Sequence, residues 1–403
     1  MRGSQNLFGA LLVSVCLSSP AAELGIASFN IAWAGTTDDF AEHIRVCTAP
    51  TVNWCDTRAR IPKGAKEPTT EEALRAKQCQ AAFDEVAGGP AKALLVAPCN
   101  AYRLTATKWA KTTSEAYAEK LDGLRKTVHG LIVDRKVDVI AFQEVRSEAA
   151  IKEVLNEHST EFDACVAAHS SFQTVGFAWR RSVSSKPGKC TAEPGLAIKE
   201  QPNDSESLRF LRPGLALRLR IGNEPVTLMN VHLKSSCANL RDSAAFKGHE
   251  LTDPDAACLV LNRQVAPLEA WVERVSKDSP LFVLLGDFNR RLDEEAEAKV
   301  PADQVRADGS DPAKPNKPGP NGEVGTRFLW QELSDGDPSL VQIPLKPATG
   351  CKGFVGLDHI LISEALSARQ TVQLESEKLP IEQKDKQLIM TSDHCPRVSR
   401  VSL

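Results

Sequence analysis

The sequence predicts an α/β fold in which two β-sheets share one domain with flanking helices. Three observations carry that prediction. Apolar runs of strand length alternate with capped, amphipathic helical stretches. No shift in composition within 113–403 marks off a second core. Buried strands also end repeatedly on polar, ionisable residues, a pattern that means little once but is expected of a shared rim when it recurs.

The elements follow in order. Residues 1–22 carry Arg2, a mostly apolar run from Leu7 to Leu17 and small residues around Ser19-Pro20-Ala21, which predicts a secretory signal peptide. A secreted or periplasmic protein of residues 23–403 is expected. No other stretch approaches membrane-spanning length, so stable membrane insertion is not expected. Residues 24–35 alternate like a strand and break at Gly35. Residues 36–112 show weak periodicity, scattered proline and four cysteines, with one clear helix between the cap at Thr69-Thr70 and the stop at Gly88-Gly89. A second helix spans roughly 114–135, with Leu121, Leu124, Val128, Leu131 and Ile132 on one face. Residues 137–145 are a near-continuous apolar run, as in a strand covered on both faces, and 147–158 form a capped helix.

Strands dominate 161–233. A long helix begins at Asp253-Pro254 and runs to about Lys277. The strand at 281–289 runs into Gly286, Asp287, Phe288 and Asn289. Asp287 and Asn289 should share one side, with Phe288 anchored on the other. Gly286 is expected to leave room for substrate or metal. Residues 293–325 are polar and rich in Pro and Gly, which predicts a flexible loop. A short helix, a strand at 353–363 and a last strand follow.

The net charge of −3 argues against wholesale electrostatic binding of nucleic acid but leaves a local basic groove open. The chain has only two tyrosines, which weakens any reading as an aromatic stacking platform. Of the eleven cysteines, Cys16 leaves with the signal. The even remainder, in an oxidising compartment, predicts disulfides. Cys237 with Cys258 and two pairs within 47–99 are expected. Cys395 either pairs with Cys351 or is a buried thiol.

The polar strand ends define a chemistry. They are Asn30, Glu144, His232, Asp287 with Asn289, Asp358, and Asp393 with His394. Carboxylates and asparagines are hard oxygen ligands, suited to Mg²⁺, Mn²⁺ or Ca²⁺ rather than zinc. Histidines beside them serve as a base or as donors to phosphate. The set favours metal-assisted phosphoester hydrolysis.

With SFNI (28–31), DVIAFQEVR (138–146), NVHL (230–233), GDFN (286–289), LDHI (357–360) and SDHCP (392–396) in this order, the chain resembles the endonuclease/exonuclease/phosphatase superfamily, the deoxyribonuclease I-like fold. The resemblance implies a four-layer sandwich of two packed sheets flanked by helices. It implies Asn30, Glu144 and Asp393 at the metal, with Glu144 the principal ligand. Asp287 and Asn289 would orient the attacking water and the phosphate. Asp358 would orient His394 as a base or charged donor, and His232 would donate to a phosphate oxygen or to the leaving group. Arg180 resembles an arginine that reaches the nucleic-acid backbone, although Arg181 stands where the family carries proline. Lys234, Arg290 and Arg291 lie beside the motifs and would add positive charge. His359 should face away from Asp358 and be structural, and His129 and His158 are read as surface or core residues.

More than a hundred residues separate the Asn30 and Glu144 motifs, against a few tens in compact relatives, so 36–112 reads as a cysteine-rich, helical insertion near the cleft. The expected function is a secreted, monomeric, metal-dependent nuclease acting on DNA. The alternatives are a phosphodiesterase or phosphatase for phospholipid headgroups or small phosphoesters, sphingomyelinase-like, and a non-catalytic binding module.

Overall fold

The structure, a computed structural model, describes residues 22–62, 67–105, 108–200, 208–242, 247–298, 327–335, 338–347, 350–351, 356–384 and 386–403. Residues 1–21 of the expected signal peptide and 299–325 of the expected loop lie outside them.

The first half of the chain runs β1 (Glu23–Ala34), α1 (Thr37–Thr48), α2 (Thr70–Ala87), α3 (Pro90–Ala93), β2 (Arg103–Thr105), β3 (Lys108–Trp109), α4 (Ser114–Val133), β4 (Val139–Val145), α5 (Glu148–Leu155), β5 (Phe162–Val166), β6 (Thr174–Arg180) and β7 (Lys189–Glu193). The second half runs β8 (Gly214–Ile221), β9 (Glu224–His232), α6 (Ala256–Asp278), β10 (Phe282–Asp287), α7 (Leu292–Ala298), α8 (Leu329–Asp335), β11 (Leu340–Gln342), β12 (Asp358–Ser363), α9 (Glu364–Ser367), β13 (Glu377–Lys378) and β14 (Arg397–Ser402).

Two six-stranded mixed sheets form, ordered β13-β14-β1-β4-β6-β5 and β11-β12-β10-β9-β8-β7. Period-two alternation builds the layers. Leu24 and Ile26 of β1 and Val139 and Ala141 of β4 face Leu228, Val283, Leu285 and Ile360 of the other sheet. The alternate residues, such as Phe29, Ile140 and Phe142, pack outward on Leu121, Leu124 and Val128 of α4. On the second sheet Val231, Phe282 and Leu284 pack on Leu261, Val265 and Leu268 of α6. This is the four-layer sandwich expected.

Helix ends follow their caps. Thr69 accepts from Glu72 N to start α2, and Gly88 ends it at φ +86°. α6 starts later than Asp253-Pro254 because Asp255 accepts from Ala257 N and Cys258 N. α1 was not foreseen. Thr36 and Asp39 form a reciprocal capping box that starts it. Residues 293–298, the start of the expected loop, belong to the helix α7.

Five disulfides join Cys47–Cys99, Cys55–Cys79, Cys165–Cys190, Cys237–Cys258 and Cys351–Cys395. The pairs within 47–99 and Cys237–Cys258 are those expected, and Cys395 is paired rather than free. Cys165–Cys190 joins the edge strands β5 and β7, and so ties one sheet to the other.

Candidate active site

The inner faces of the two sheets turn from apolar to polar at one edge. In β1 the inward row Leu24, Ile26, Ser28 continues to Asn30. In β9 the row Val226, Leu228, Asn230 ends at His232, and in β10 the row Val283, Leu285 ends at Asp287. In β12 the row Ile362, Ile360 begins at Asp358. Register brings these ends together. β9 and β10 are parallel with His232 opposite Asp287, and β12 is antiparallel with Asp358 opposite Asp287. β1 and β4 are parallel with Asn30 opposite Gln143.

A polar staple marks the transition below the rim. Gln143 donates to Asn230 Oδ1 at 2.8 Å, and Asn230 donates to Phe142 O and Gly176 O at 2.9 and 2.8 Å. These two residues hold the sheets at a fixed separation under the site. Sequence reading passed over both, although they sit inside the FQE and MNVH stretches.

Glu144 reaches the cleft through a bulge. The β4 register shifts between Gln143 and Val145, and Glu144 takes φ +63°. β1 shifts register after Asn30, with Ala32 and Trp33 at φ +50° and +45°. Trp33 N then donates to Glu144 Oε2 at 3.0 Å. Asn30 Nδ2 donates to Asp287 Oδ2 at 3.0 Å and Glu144 Oε1 at 3.3 Å, while Asn30 Oδ1 accepts from Ala32 N at 2.9 Å. Non-glycine residues in left-handed backbone are uncommon, and Ala32, Trp33, Glu144 and Asn289 adopt it at this rim.

The histidines complete it. His394 Nδ1 lies 2.9 Å from Asp358 Oδ2, and its Nε2 is 3.7 Å from Asp287 Oδ2. Lys378 also pairs with Asp358. Ser392 Oγ donates to Asn30 O at 2.7 Å and accepts from His394 N at 3.0 Å, tying the last loop to β1. His232 Nε2 is 3.6 Å from Asp287 Oδ2 and 3.8 Å from Glu144 Oε1. Asn289 N donates to Asp287 Oδ1 at 2.8 Å, with Asn289 at φ +52°.

Charge states follow from burial and neighbours. Burial raises the Glu144 carboxyl, and Asp393 raises it further. Burial also raises Asp287, against the pull of His394. Asp358 stays well below the usual carboxylate range, because Lys378 and His394 outweigh its burial. Burial would lower His394, but Asp358 and Asp287 prevail and hold it at about 10. Burial and then Arg212 hold His232 well below its ordinary value. The neighbouring carboxylates thus favour the charged form of His394, and burial favours the neutral form of His232.

Glu144, His232, Asp287 and His394 line one cleft of about 460 Å³ with Asn30, Asp393, Arg212, Lys247, His249 and Arg291. Asp287, Asp358 and His394 form a buried group whose donor atoms lie close enough to hold a metal. The Asp287 carboxylate is buried and the Glu144 carboxylate half-buried, both with raised proton affinity, and Asp393 lies near enough to Glu144 to raise it further. A site of hard oxygen donors with excess negative charge fits a divalent cation.

Two expected substrate contacts are corrected. Arg290 is fully buried and points inward to Glu295 at 2.7 Å and Cys237 O at 3.0 Å. The left-handed turn at Asn289 directs it so, and Arg291 lines the cleft instead. Arg180 lies at the far end of β6, where its N donates to Asp138 O before β4 begins and its side chain pairs with Glu161 at 2.6 Å. Lys234 pairs with Glu200 at 3.1 Å and lines an adjoining cavity with Arg58 and Gln80 of the 36–112 segment. That cavity shares Gln173, Arg212 and Ser235 with the cleft. Gly286 is also reassigned. At φ +142° its missing Cβ would meet Val231 O at 2.1 Å, so the close neighbour is strand β9 and not a ligand.

His359 faces away from Asp358, with Nε2 2.9 Å from Arg290 O and 3.0 Å from Gly356 O, and it packs edge-on to Phe288. Arg212, Lys378 and Arg397 were not foreseen. Arg397 donates to Asp358 O and Ile343 O beneath the rim. All three are basic residues outside the motifs, and only folding brings Arg212 to the cleft and Lys378 and Arg397 against Asp358 beneath it.

The Endonuclease/Exonuclease/phosphatase family matches residues 99–394, most of the chain and all of this rim except Asn30. The chain belongs to that family. Members of the family hydrolyse phosphodiester bonds with a divalent metal. No curated protein matches the chain. Among solved structures, a Bacteroides thetaiotaomicron endonuclease/exonuclease/phosphatase family protein is 10% identical at TM-score 0.44, covering 95% of this chain and 98% of its own. A Bacteroides vulgatus endonuclease/exonuclease/phosphatase is 11% identical at TM-score 0.40, covering 70% and 91%. D. rerio TDP2 complexed with single strand DNA product is 15% identical at TM-score 0.38, covering 70% and 93%.

Proposed function

We propose that this endonuclease/exonuclease/phosphatase family member is an exported, Mg²⁺-class phosphodiesterase that cleaves nucleic acid, with DNA the preferred substrate. The observation that carries the reading is the Asp358–His394 pair facing Asp287, Glu144 and Asn30 in one cleft with Arg212, Lys247 and Arg291 on its walls. Three cations around an acidic floor suit a polyanion that must bring one phosphate down to carboxylates. Five disulfides support export to an oxidising compartment.

Asn30, Glu144 and Asp393 would hold the metal, which supplies a Lewis acid that neutralises charge on the phosphate. His394, protonated and oriented by Asp358, donates from Nε2 to a non-bridging oxygen. Asp287, buried and with raised proton affinity, takes the proton of the attacking water. Asn289 fixes the Asp287 carboxylate through its backbone N–H. Neutral His232 donates to a phosphate oxygen. The preformed donors need little reorganisation as charge develops.

The test uses mature protein against plasmid DNA, single-stranded DNA, RNA, sphingomyelin and bis(p-nitrophenyl) phosphate, with Mg²⁺ and with chelator. Plasmid cleavage that chelator abolishes is expected. Sphingomyelin hydrolysis without DNA cleavage would replace the substrate. Undiminished cleavage in chelator would remove the metal.

A further inference from the structure

We propose that His129, Glu157 and His158 form a second metal site, for a zinc-class transition ion, remote from the catalytic cleft. His129 stands near the end of α4, and Glu157 and His158 stand in the 3-10 turn Asn156–Thr160 that follows α5. His129 Nδ1 is 3.0 Å from Glu157 Oε1 and 3.1 Å from His158 Nε2, and His158 Nε2 is 3.9 Å from Glu157 Oε1. A tetrahedral zinc with bonds near 2.0–2.1 Å sets its ligand atoms about 3.3 Å apart. Two edges lie close to that spacing, and the exposed Glu157 need close by only about half an ångström on the third.

The surrounding groups hold these donors in place. His158 Nδ1 is 3.1 Å from Glu161 Oε1, so its N–H is directed to a carboxylate and the Nε2 lone pair faces His129. Arg180 in turn clamps Glu161 Oε2 at 2.6 Å. Asn156 Nδ2 donates to Glu157 Oε2 at 2.7 Å, leaving Oε1 for the site. A carboxylate behind a ligating histidine is the usual support of a metal-bound imidazole. Here the arginine expected at the substrate takes part in it. His158 is nearly buried while His129 and Glu157 are exposed, so a fourth position is open to water.

Two imidazoles and one carboxylate suit Zn²⁺ and its neighbours, whereas the catalytic donors are mainly oxygens that suit Mg²⁺. The sites also lie at opposite ends of one sheet. β4 and β6 pair with Val145 opposite Thr174 at the cleft and Val139 opposite Trp179 beside Arg180, a span of about 20 Å. An ion here would cross-link α4 to the turn leading into β5 and stabilise the fold without touching substrate.

The experiment titrates the full mature chain, saturated with Mg²⁺, with Zn²⁺ by calorimetry and with Co²⁺ by visible absorption. One Zn²⁺ equivalent should remain in Glu144→Ala, which removes a metal ligand of the catalytic cleft, and should weaken at least about 100-fold in His129→Gln. Glu161→Gln should weaken it about 10- to 100-fold by removing the support of His158. Co²⁺ should give intense tetrahedral bands that His129→Gln abolishes. His129 is exposed, so its variant should fold normally, as circular dichroism would show. Zn²⁺ binding unchanged in His129→Gln, or lost wholly in Glu144→Ala, would overturn the proposal.

Discussion

The catalytic rim and the cystine-bound segment that follows it are adjacent in sequence and opposite in construction. Asn30 ends an inward row of β1, and α1 starts at Thr37. At the rim the backbone is left-handed at Ala32, Trp33, Glu144 and Asn289, and polar atoms such as His232 Nδ1 and Asp358 Oδ1 are buried without a hydrogen-bond partner. Each such feature costs on the order of 1–3 kcal/mol. In 36–112 the helices α1 and α2 are capped and two disulfides close around a small core of Val46, Val52, Phe83 and Val96. The rim tolerates strain because the large inter-sheet core lies directly beneath it. The 36–112 segment has a small apolar core of its own, and its two disulfides are expected to supply much of its stability.

The largest effect should be at the rim. Glu144→Ala and His394→Ala should each lose about two to four orders of magnitude in turnover, with the thermal transition preserved. Near-normal cleavage by either variant would break the assignment of function to the strained side. Replacing Cys47 and Cys99 by serine should cost about 4 kcal/mol in urea midpoint analysis, because the bond closes a 52-residue separation. A loss below about 1 kcal/mol would mean the 36–112 segment holds itself together by packing.

Gly286→Ala should destabilise by about 3 kcal/mol, since its Cβ would strike the β9 backbone at positive φ. An unchanged melting temperature would contradict the close approach of β9 and β10.

The acid limb offers a finer comparison. Burial and then Arg397 hold His359 at about 3, against an ordinary histidine value of 6.5. The unfolded chain therefore takes up this proton between those values and the folded chain does not, so stability is present above 6.5 and is lost as pH falls toward 3. Between about pH 7 and 5 the wild type should lose more stability than His359→Gln. Equal losses would show that His359 is charged in the fold. The smallest effect is expected from Ala32→Gly, which should gain about 0.5–1 kcal/mol by relieving a left-handed alanine. A loss of stability there would mean that the rim is not strained at this position.

Much of this was legible because it is local or periodic. The inward rows of β1, β9, β10 and β12 follow from alternation, and α2 follows from Thr69 and Gly88. α1 was missed because its apolar face is sparse and its cap uses aspartate in place of glutamate. Arg290 and Arg291 are indistinguishable by type, and the turn at Asn289 decides which of them faces the cleft. Gly286 invited a ligand reading because a missing side chain does not name its neighbour. Arg212 and Lys378 carry no motif, yet they help set the proton affinities of His232 and Asp358, and Arg397 does the same for His359.

Residue types and their order were enough to specify the layers, the family's motif series, the polar end of each strand and the hard-donor chemistry of the rim. Those properties depend on side-chain period and donor type, which are written along the chain. Strand register, the bulges at Asn30 and Glu144, the inward turn of Arg290 and the meeting of His129 with His158 arose from packing between distant segments. Register couples residues more than a hundred positions apart, and a one-residue slip would turn every one of these side chains to the other face.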